Sequence, residues 1–314
     1  MKNKRLDVLI LEKGLFPSRE AVRTAIMSGA ILINGEKNTK PGASVPIDAK
    51  IELIESYAKS KFVSRGGLKL ELALQEFQID AKGRICLDIG ASTGGFTDCL
   101  LQAGAQRVYA IDVGYGQLSW HLRQDERVVC IERFNARNLN PESIYPESIW
   151  KNDSAWADLS VIDVSFISLE KILAPVFSTL RPEQSEAICL VKPQFEIGRD
   201  KVGKGGVVRT IDDHIFVLNQ VNEQMQRLGL CIRHLTFSPI KGPAGNIEFL
   251  AHVMKSSSKA QTESAAQAQS LSGESVDNRV TSETIQETVK TAHSVLAKPS
   301  SEKQKEPLRK TVKQ

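Results

Sequence analysis

The sequence predicts an α/β protein in which a small α+β domain precedes a doubly wound domain with a mostly parallel sheet and an antiparallel edge hairpin. Three observations support this fold class. After Gly83, five short apolar runs alternate with helical patterns. The runs are continuously apolar, which is typical of strands covered on both faces in a parallel sheet. The turn signals before them indicate a separate compact module of about sixty residues.

Composition and charge limit the possible functions. The chain has 314 residues, of which 41% are hydrophobic, and this is enough for two domains with buried cores. The formal net charge of +4 is mild, but the basic residues are clustered, so a polyanionic partner is worth testing.

The five cysteines form no Cys-x-x-Cys pair. We interpret them as reduced core residues of a cytoplasmic protein, with neither a metal site nor a disulfide. The basic N-terminus is followed by no apolar segment, and no run of about eighteen apolar residues occurs, so we expect neither secretion nor a membrane partner.

The first domain, residues 1–57, contains two predicted helices and two predicted strands. Apolar residues recur at helical spacing in 5–12, and a serine is placed to cap a second helix at 19–28, which a glycine ends. Strands are predicted at 31–34 and 50–55. Basic side chains are expected on the polar faces at Arg5, Lys13, Arg19, Arg23, Lys37 and Lys40.

Four short motifs stand out in this domain. They are Arg5-Leu6-Asp7, Ser18-Arg19, the Ile26-x-x-Gly29 step and Ile31-x-Ile33-Asn34-Gly35. Together they resemble the S4-like RNA-binding domain of ribosomal proteins and RNA-modifying enzymes. The resemblance implies that basic side chains contact RNA phosphates, which supplies affinity and register but little sequence information. The residues expected to do so are Arg5, Arg19, Arg23 and Lys37. From the residues alone, a solvated basic surface is the alternative.

A polar link at residues 58–63 leads to the second domain, residues 64–255. This domain opens with Ser64-Arg65-Gly66-Gly67-Leu68-Lys69, a turn before a helix predicted at 68–77. The two glycines are compatible with an ordinary helix start. Because Arg65 and Lys69 flank the turn, it could equally bind an RNA phosphate or another anion. The residues favour neither interpretation over the other.

Strand and helix patterns alternate through the second domain. The predicted strands occupy 85–89, 108–111, 128–131, 159–164 and 187–191, and the predicted helices occupy 96–102, 117–123, 168–180 and 212–228. Residues 231–237 and 247–253 are predicted to close the sheet as an antiparallel hairpin. In such a fold a ligand lies beyond the carboxyl ends of the strands. Polar residues stand at or just after four of these ends, namely Asp88, Asp112, Asp163 and Lys192.

The turn after the first of these strands is predicted to bind a nucleoside. Its glycines offer bare backbone and a helix N-terminus to a ligand. Asp112 lies about twenty residues further on, where an acidic side chain typically takes both hydroxyls of a ribose; a helix cap before Gly114 is the alternative. The turn has no Lys, which a phosphate-binding loop would need, so S-adenosylmethionine fits better than a triphosphate. The predicted cofactor-binding residues are Asp88, Gly90, Ser92, Thr93, Gly94, Gly95, Phe96, Asp112, Val113 and Asn135, the last at the adenine edge.

Four segments at these strand ends carry a specific resemblance. They read Asp88-Ile89-Gly90-Ala91-Ser92-Thr93-Gly94-Gly95-Phe96, Ala110-Ile111-Asp112-Val113-Gly114-Tyr115-Gly116-Gln117-Leu118, Asp163-Val164-Ser165-Phe166-Ile167-Ser168-Leu169 and Leu190-Val191-Lys192-Pro193-Gln194-Phe195-Glu196. The pattern is similar to that of the TlyA (haemolysin A) family over residues 5–254. The resemblance implies an S4-like domain joined to an FtsJ-like domain with a Rossmann-like class I methyltransferase sheet. It also implies methylation of the ribose 2′-hydroxyl of cytidine in ribosomal RNA.

The same resemblance implies a catalytic tetrad of Lys, Asp, Lys and Glu. By motif the tetrad falls on Lys69, Asp163, Lys192 and Glu248. We expect Lys192 to act on the 2′-hydroxyl with Asp163 orienting it, while Lys69 and Glu248 position the ribose and the second ammonium. Whether Lys192 takes the proton or stabilises the developing alkoxide stays open at this point. Two unrelated salt bridges are the alternative to a tetrad.

The remaining segments give weaker signals. The glycine-rich loop at 194–209 carries Arg199, Lys201 and Lys204, and we interpret it as a mobile lid that contacts RNA phosphates; a passive surface loop is the alternative. The polar residues 256–314 are predicted to be disordered, with a transient helix near 284–296.

Two functions from other classes are kept as alternatives. One is a non-catalytic RNA-binding factor in ribosome assembly, and the other is a membrane-active haemolysin. The haemolysin is disfavoured because the sequence shows no signal peptide and no spanning segment.

Overall fold

The computed structural model describes residues 2–16, 19–27, 29–53, 61–151, 156–183, 185–198, 201–203, 205–256 and 279–297. The first three positions of the predicted link at 58–63 therefore lie outside the described residues, and its last three positions are included.

The N-terminal domain is built from short strands around two helices. Its elements are β1 Asn3–Arg5, α1 Leu6–Glu12, α2 Arg19–Met27, β2 Ile31–Ile33, β3 Glu36–Lys37, β4 Ser44–Pro46 and β5 Ile51–Leu53. Strand β1 pairs with β4, and β2 lies between β3 and β5, with all pairs antiparallel. The apolar stripes of both helices pack with β2 into a separate core, in which Leu6, Ile10, Val22, Ile26 and Ile31 are fully buried. Both predicted helices and both predicted strands are present. Strands β1 and β3 consist of polar residues, and β4 has one buried residue, Val45, so these three give no apolar signal.

The second domain alternates strands and helices as the apolar runs predict. Its strands are β6 Ile85–Ile89, β7 Arg107–Ile111, β8 Val128–Ile131, β9 Leu159–Ile162, β10 Glu186–Val191, β11 Leu230–Phe237 and β12 Phe249–Lys255. Its helices are α3 Gly66–Glu76, α4 Gly95–Gln102, α5 Trp120–Gln124, α6 Pro141–Ile144, α7 Glu147–Trp150, α8 Glu170–Ser178, α9 Pro193–Glu196, α10 Ile211–Arg227 and α11 Ser282–Ala297, with a 3₁₀ turn at Ala136–Asn138.

The seven strands form one sheet in the order β11-β12-β10-β9-β6-β7-β8. The five strands from β6 to β10 are parallel to one another, and β12 is antiparallel to both β10 and β11. The predicted hairpin at the end of the sheet is therefore confirmed. Its second strand lies inside the sheet, and its first strand forms the edge.

The strand order fixes where a ligand can bind. The chain leaves β6 towards β7 on one side and later returns to place β9 on the other side of β6. A crevice opens at such a switch point, beyond the carboxyl ends of the two central strands. The turn after β6 and the segment after β9 meet at this crevice.

Both faces of the sheet are covered, which explains the continuous apolar runs. Leu87 and Ile89 of β6 face a core that includes helices α8 and α10, whereas Cys86 faces a second core with Leu70 of α3 and Leu100 of α4. Cys86, Cys99, Cys189 and Cys231 are buried, and Cys130 is half-buried. Among the helices that the structure describes, none has the length and apolar character needed to cross a bilayer.

Residues 256–314 are predicted to be disordered with a transient helix, and for residues 279–297 the structure differs from this prediction. Helix α11 packs against α10 and β11, and its residues Ile285, Val289 and Ala292 are fully buried. Just before it, the Val280 amide donates to the carbonyl oxygen of Ile232 at 3.0 Å. The segment is polar on average, but its apolar residues recur at helical spacing on one face of the helix. This face packs against α10 and β11. The flanking residues 257–278 and 298–314 lie outside the described part of the chain.

Candidate active site

Two adjoining cavities open at the carboxyl edge of the sheet. The larger, of about 950 Å³, is lined on one side by Gly90, Ser92, Asp112, Val113 and Asn135. The smaller, of about 590 Å³, lies on the other side of the turn after β6. The two cavities share part of their walls, at Gly90, Ser92, Asp163, Ser165, Phe166, Gln194, Phe195 and Val202. Molecules that fill both cavities would therefore meet along this shared wall.

At two positions, the turn after β6 has backbone angles in the left-handed region that favours glycine. Gly90 has φ +88° and Gly94 has φ +93°. A Cβ on Gly90 would clash with the Asp163 carbonyl oxygen, and a Cβ on Gly94 would clash with Leu122. The strand-to-helix turn therefore sits tightly against both the segment after β9 and helix α5, and leaves room on its outer side for a ligand.

Asp112 braces this turn and faces the larger cavity. Its carboxylate accepts hydrogen bonds from the backbone amides of Ser92, at 2.7 Å, and Gly114, at 2.6 Å. The next helix begins only at Trp120, so Asp112 is not a helix cap. Because each carboxylate oxygen can accept more than one hydrogen bond, Asp112 can still receive ligand hydroxyls.

The other predicted cofactor residues do not share one location. Asn135 lines the larger cavity, and its side chain accepts from the Arg137 amide at 3.1 Å. Three residues of the turn line the smaller cavity, namely Thr93, Gly95 and Phe96. Gly94 and Asp88 line neither cavity.

Asp88 lies beneath the turn and does not reach the cavity wall. It is fully buried, and Thr97 Oγ1 donates to its carboxylate at 2.6 Å. Burial raises the pKa of Asp88 to about 7, although the Thr97 hydrogen bond opposes this shift. The prediction of a direct ligand contact is not supported by this position, and the geometry gives Asp88 the role of joining β6 to helix α4.

The four residues of the predicted tetrad converge on the smaller cavity. Lys69 Nζ lies 2.5 Å from Glu248 Oε2, and Lys192 Nζ lies 2.6 Å from Asp163 Oδ1. All four line the same cavity, so these ion pairs are not unrelated. Removing one member of a buried pair would leave its partner's charge uncompensated, which is costly.

Each of these side chains is held by a different element. Lys69 projects from the second turn of α3, Asp163 follows β9, Lys192 follows β10 and Glu248 precedes β12. Since β9, β10 and β12 are neighbours in the sheet, their adjacent ends bring three of the residues together. Helix α3 closes the site from the side and supplies the fourth.

The loop at 194–209 is anchored at both ends. Glu196 is buried, and its carboxylate accepts from Ser168 Oγ at 2.7 Å and from the Leu169 amide at 2.9 Å. Burial raises the pKa of Glu196. Near the other end, Asn246 accepts from the Val208 amide and donates to the Gly206 carbonyl, both at 2.9 Å. The predicted RNA contact Lys201 is exposed, whereas Arg199 and Lys204 lie outside the described residues.

The predicted RNA-binding residues of the N-terminal domain are exposed, but two of them are paired. Arg5 and Arg19 each contact the buried Asp7, at 3.0 and 2.9 Å. These guanidinium groups hold the pKa of Asp7 at about 2. Arg23 and Lys37 are exposed on the same domain. In the second domain, Arg65 is exposed at the mouth of the smaller cavity.

Sequence reasoning did not single out several residues of the cavity walls. Ser165 accepts a hydrogen bond from Lys192 Nζ at 2.8 Å. The next residue, Phe166, is 91% exposed, has φ +66° and contacts Phe195 with ring centroids 5.0 Å apart and ring planes tilted by 50°. Lys241 and Asn246 line the smaller cavity. Ser165 and Phe166 stand next to a predicted catalytic residue, but no local pattern reports a positive φ or a contact with Lys192.

Comparison with known proteins gives two matching families. Residues 62–255 match the family of FtsJ-like methyltransferases, and residues 4–51 match the S4 domain. A Bacillus subtilis relative, provisionally named the rRNA methyltransferase YqxC, is 48% identical over 252 residues, which cover 80% of this chain and 86% of the relative. The 16S/23S rRNA (cytidine-2′-O)-methyltransferase TlyA of Mycobacterium tuberculosis is 39% identical over 270 residues, covering 86% and 95%. A solved structure from Streptococcus thermophilus, provisionally described as a hemolysin, is 39% identical with a TM-score of 0.67, covering 95% of this chain and 98% of that one.

Proposed function

Because this chain belongs to the family of FtsJ-like methyltransferases and carries an S4 domain, we propose that it transfers a methyl group from S-adenosylmethionine to the ribose 2′-hydroxyl of cytidine in ribosomal RNA. The observation that carries this proposal is the convergence of two lysine–carboxylate pairs on one cavity, which adjoins the cavity beside the glycine turn. We place its activity in the cytoplasm, together with ribosomal RNA.

The larger cavity suits S-adenosylmethionine. Asp112 faces it with free acceptor capacity for the ribose hydroxyls, and Asn135, which lines the same cavity, is the candidate contact for the adenine. The turn after β6 carries no lysine, so it places no like charge beside a cationic ligand. When bound, the cofactor supplies the methyl group, and its sulfur keeps the electron pair of the broken carbon–sulfur bond.

The smaller cavity suits the acceptor ribose. For in-line transfer the 2′-oxygen must face the methyl group across the shared wall, where Asp163 and Ser165 lie. Lys192 lines the smaller cavity and contacts both of these residues, and it either takes the hydroxyl proton as an amine or stabilises the developing alkoxide as an ammonium. Asp163 orients Lys192 in both cases.

Lys69 and Glu248 complete the acceptor side. Their ion pair is more buried than that of Lys192 and Asp163, and it lies across the same cavity. Glu248 can accept a hydrogen bond from a ribose hydroxyl, while Lys69 neutralises its charge. This pair would hold the sugar in register with Lys192, because a misplacement of even about 1 Å lowers the rate of such a transfer strongly.

RNA recognition is supported by groups outside the cavities. Arg5, Arg19, Arg23 and Lys37 on the S4 domain offer exposed cations for phosphates, and Arg65 does so beside the acceptor cavity. The exposed ring of Phe166 presents a flat apolar face at the shared wall, of the kind on which an unpaired base stacks. Cytidine as the target base is supported by the name of the Mycobacterium tuberculosis relative.

Mass mapping of ribosomal RNA tests the proposal. RNA is compared between cells that contain this protein, cells that lack it and cells that carry Lys192→Ala. We expect one or more 2′-O-methyl cytidines that require the intact protein and are absent with Lys192→Ala. Lys82→Ala is the control, because Lys82 lies before β6 at the opposite edge of the sheet. If no 2′-O-methyl group differs between these cells, the proposal is wrong; binding of S-adenosylmethionine without transfer would favour a non-catalytic RNA-binding factor.

A further inference from the structure

Two side-chain oxygen atoms contact the Lys192 ammonium group. Asp163 Oδ1 lies 2.6 Å from Nζ, and Nζ donates to Ser165 Oγ at 2.8 Å. Ser165 lies in the wall that the two cavities share. Asp163 Oδ1 contacts Nζ as an ion pair without hydrogen-bond geometry, so the hydrogen bond to Ser165 is the contact that sets the direction of the N–H bonds.

The hydrogen bond to Ser165 gives the Lys192 amino group a direction. An ammonium has three N–H donors, and a neutral amine has two N–H donors and one lone pair. Ser165 Oγ takes one N–H in either form. The remaining N–H donors of the ammonium, or the lone pair of the amine, are then left for the acceptor, so the Ser165 contact aims Lys192 whether it stabilises an alkoxide or takes a proton.

The segment that carries Ser165 is itself held at both ends. The Asp163 amide donates to the Ile89 carbonyl at 2.9 Å, which ties the start of the segment to β6. At its end, Ser168 and Leu169 donate to the buried Glu196. Glu196 is the last residue of helix α9, which begins directly after Lys192. Ser165 itself is exposed, and the hydrogen bonds at both ends of its segment limit how far its hydroxyl can move from Lys192.

We propose that Ser165 is a positioning residue that, together with Asp163, aims Lys192 Nζ at the 2′-oxygen of the acceptor ribose. The inference rests on the proposed function for the identity of the acceptor, but the contact between Ser165 and Lys192 does not. Ser165 takes no part in bond making, and it sets the direction in which Lys192 acts.

Steady-state kinetics on isolated ribosomal subunits test this role with the full-length chain. Ser165→Ala is expected to lower kcat about tenfold, which corresponds to about 1.4 kcal/mol of transition-state stabilisation. KM for the subunits, the affinity for S-adenosylhomocysteine and the melting temperature are expected to stay as in the wild type. Ser165→Thr retains a hydroxyl and should restore most of kcat. Ser178→Ala is the matched control, because Ser178 only donates to the Pro175 carbonyl at the end of α8.

Crystal structures of the wild type and Ser165→Ala, each with S-adenosylhomocysteine, give a second measurement that does not depend on activity. We expect one Lys192 conformation in the wild type, with Nζ against Ser165, and a changed or divided conformation in the variant. An unchanged kcat in Ser165→Ala would overturn the proposal. So would a reduced kcat with Lys192 in its wild-type position, or a failure of Ser165→Thr to recover activity. A wild-type protein that transfers no methyl group would refute the proposed function, while the crystal structures would still decide the contact.

Discussion

The docking of the C-terminal helix can be tested with two substitutions of the same kind. Val289 and Val295 both lie on α11, but Val289 is 0% exposed and Val295 is 53% exposed. Val289→Ala removes two buried carbons at about 0.8 kcal/mol each, and the cavity that remains adds to this loss. The better helix propensity of Ala returns about 0.5 kcal/mol. The net loss of unfolding free energy is therefore about 1–2.5 kcal/mol for Val289→Ala, whereas Val295→Ala should be neutral or stabilising by a few tenths.

Urea and thermal unfolding of the full chain, followed for the transition of the methyltransferase domain, measure this difference. For a domain of this size the loss corresponds to a drop in Tm of about 2–4 °C per kcal/mol. Tryptic cleavage after Lys290, which lies in the same helix, gives a local readout and should be faster in Val289→Ala. If Val289→Ala is as stable as Val295→Ala, and both are cleaved at the same rate, the helix is not packed against the domain and the reasoning fails.

Three further predictions concern the site. Glu248→Gln leaves the buried Lys69 without a counter-charge, so it should lower the free energy of unfolding by about 3–5 kcal/mol and abolish methyl transfer. Denaturant unfolding measures this loss. The control is Glu147→Gln in the exposed pair with Lys151, which should change the free energy of unfolding by less than about 0.5 kcal/mol. The pKa of Asp88 is raised to about 7 in the folded protein, so stability falls as pH rises from about 4 to about 7, because in this range the unfolded state loses the proton that the buried carboxyl keeps. Asp88→Asn should flatten this part of a pH series of melting temperatures, and an unchanged slope would contradict the assignment. Gly90→Ala should abolish binding of S-adenosylhomocysteine, measured by calorimetry, because the new Cβ would clash with the Asp163 carbonyl. The control is Gly116→Ala, since Gly116 also has a positive φ, +68°, but has open space around it. This variant should lose only about 1–2 kcal/mol of stability and keep binding.

Local patterns in the sequence are sufficient for the elements of the second domain. Each apolar run from residue 85 to residue 191 forms a strand of the parallel sheet, because a strand covered on both faces has apolar residues at nearly all of its positions. The polar residues that follow the runs fall at one edge of the sheet, since parallel strands all end on the same side. The motifs around Asp163 and Lys192 can therefore be placed at the crevice from their positions along the chain.

The partners of the charged residues cannot be found in this way. Lys69 and Glu248 are separated by 179 positions in the sequence, and their contact depends on how helix α3 packs against the end of β12. Asp88 has the sequence context of a ligand-binding residue, yet packing places its carboxylate beneath the turn, where Thr97 donates to it. The C-terminal helix shows the same limit, because average composition predicts disorder while three apolar positions at helical spacing are enough to dock it on α10.

The sequence by itself thus determined the two domains, the order of strands and helices along the chain, and the residue types gathered at the carboxyl edge of the sheet. These depend on periodicity and on neighbours within a few residues. The tertiary structure alone decided the insertion of β12 between β10 and β11, the pairing of Lys69 with Glu248 and the contact of Ser165 with Lys192. These depend on free energies of contact between distant segments, which no local pattern records. The glycine turn after β6 depends on both. Its glycines can be identified in the sequence, but only the fold shows that the Asp163 carbonyl leaves no room for a side chain at Gly90.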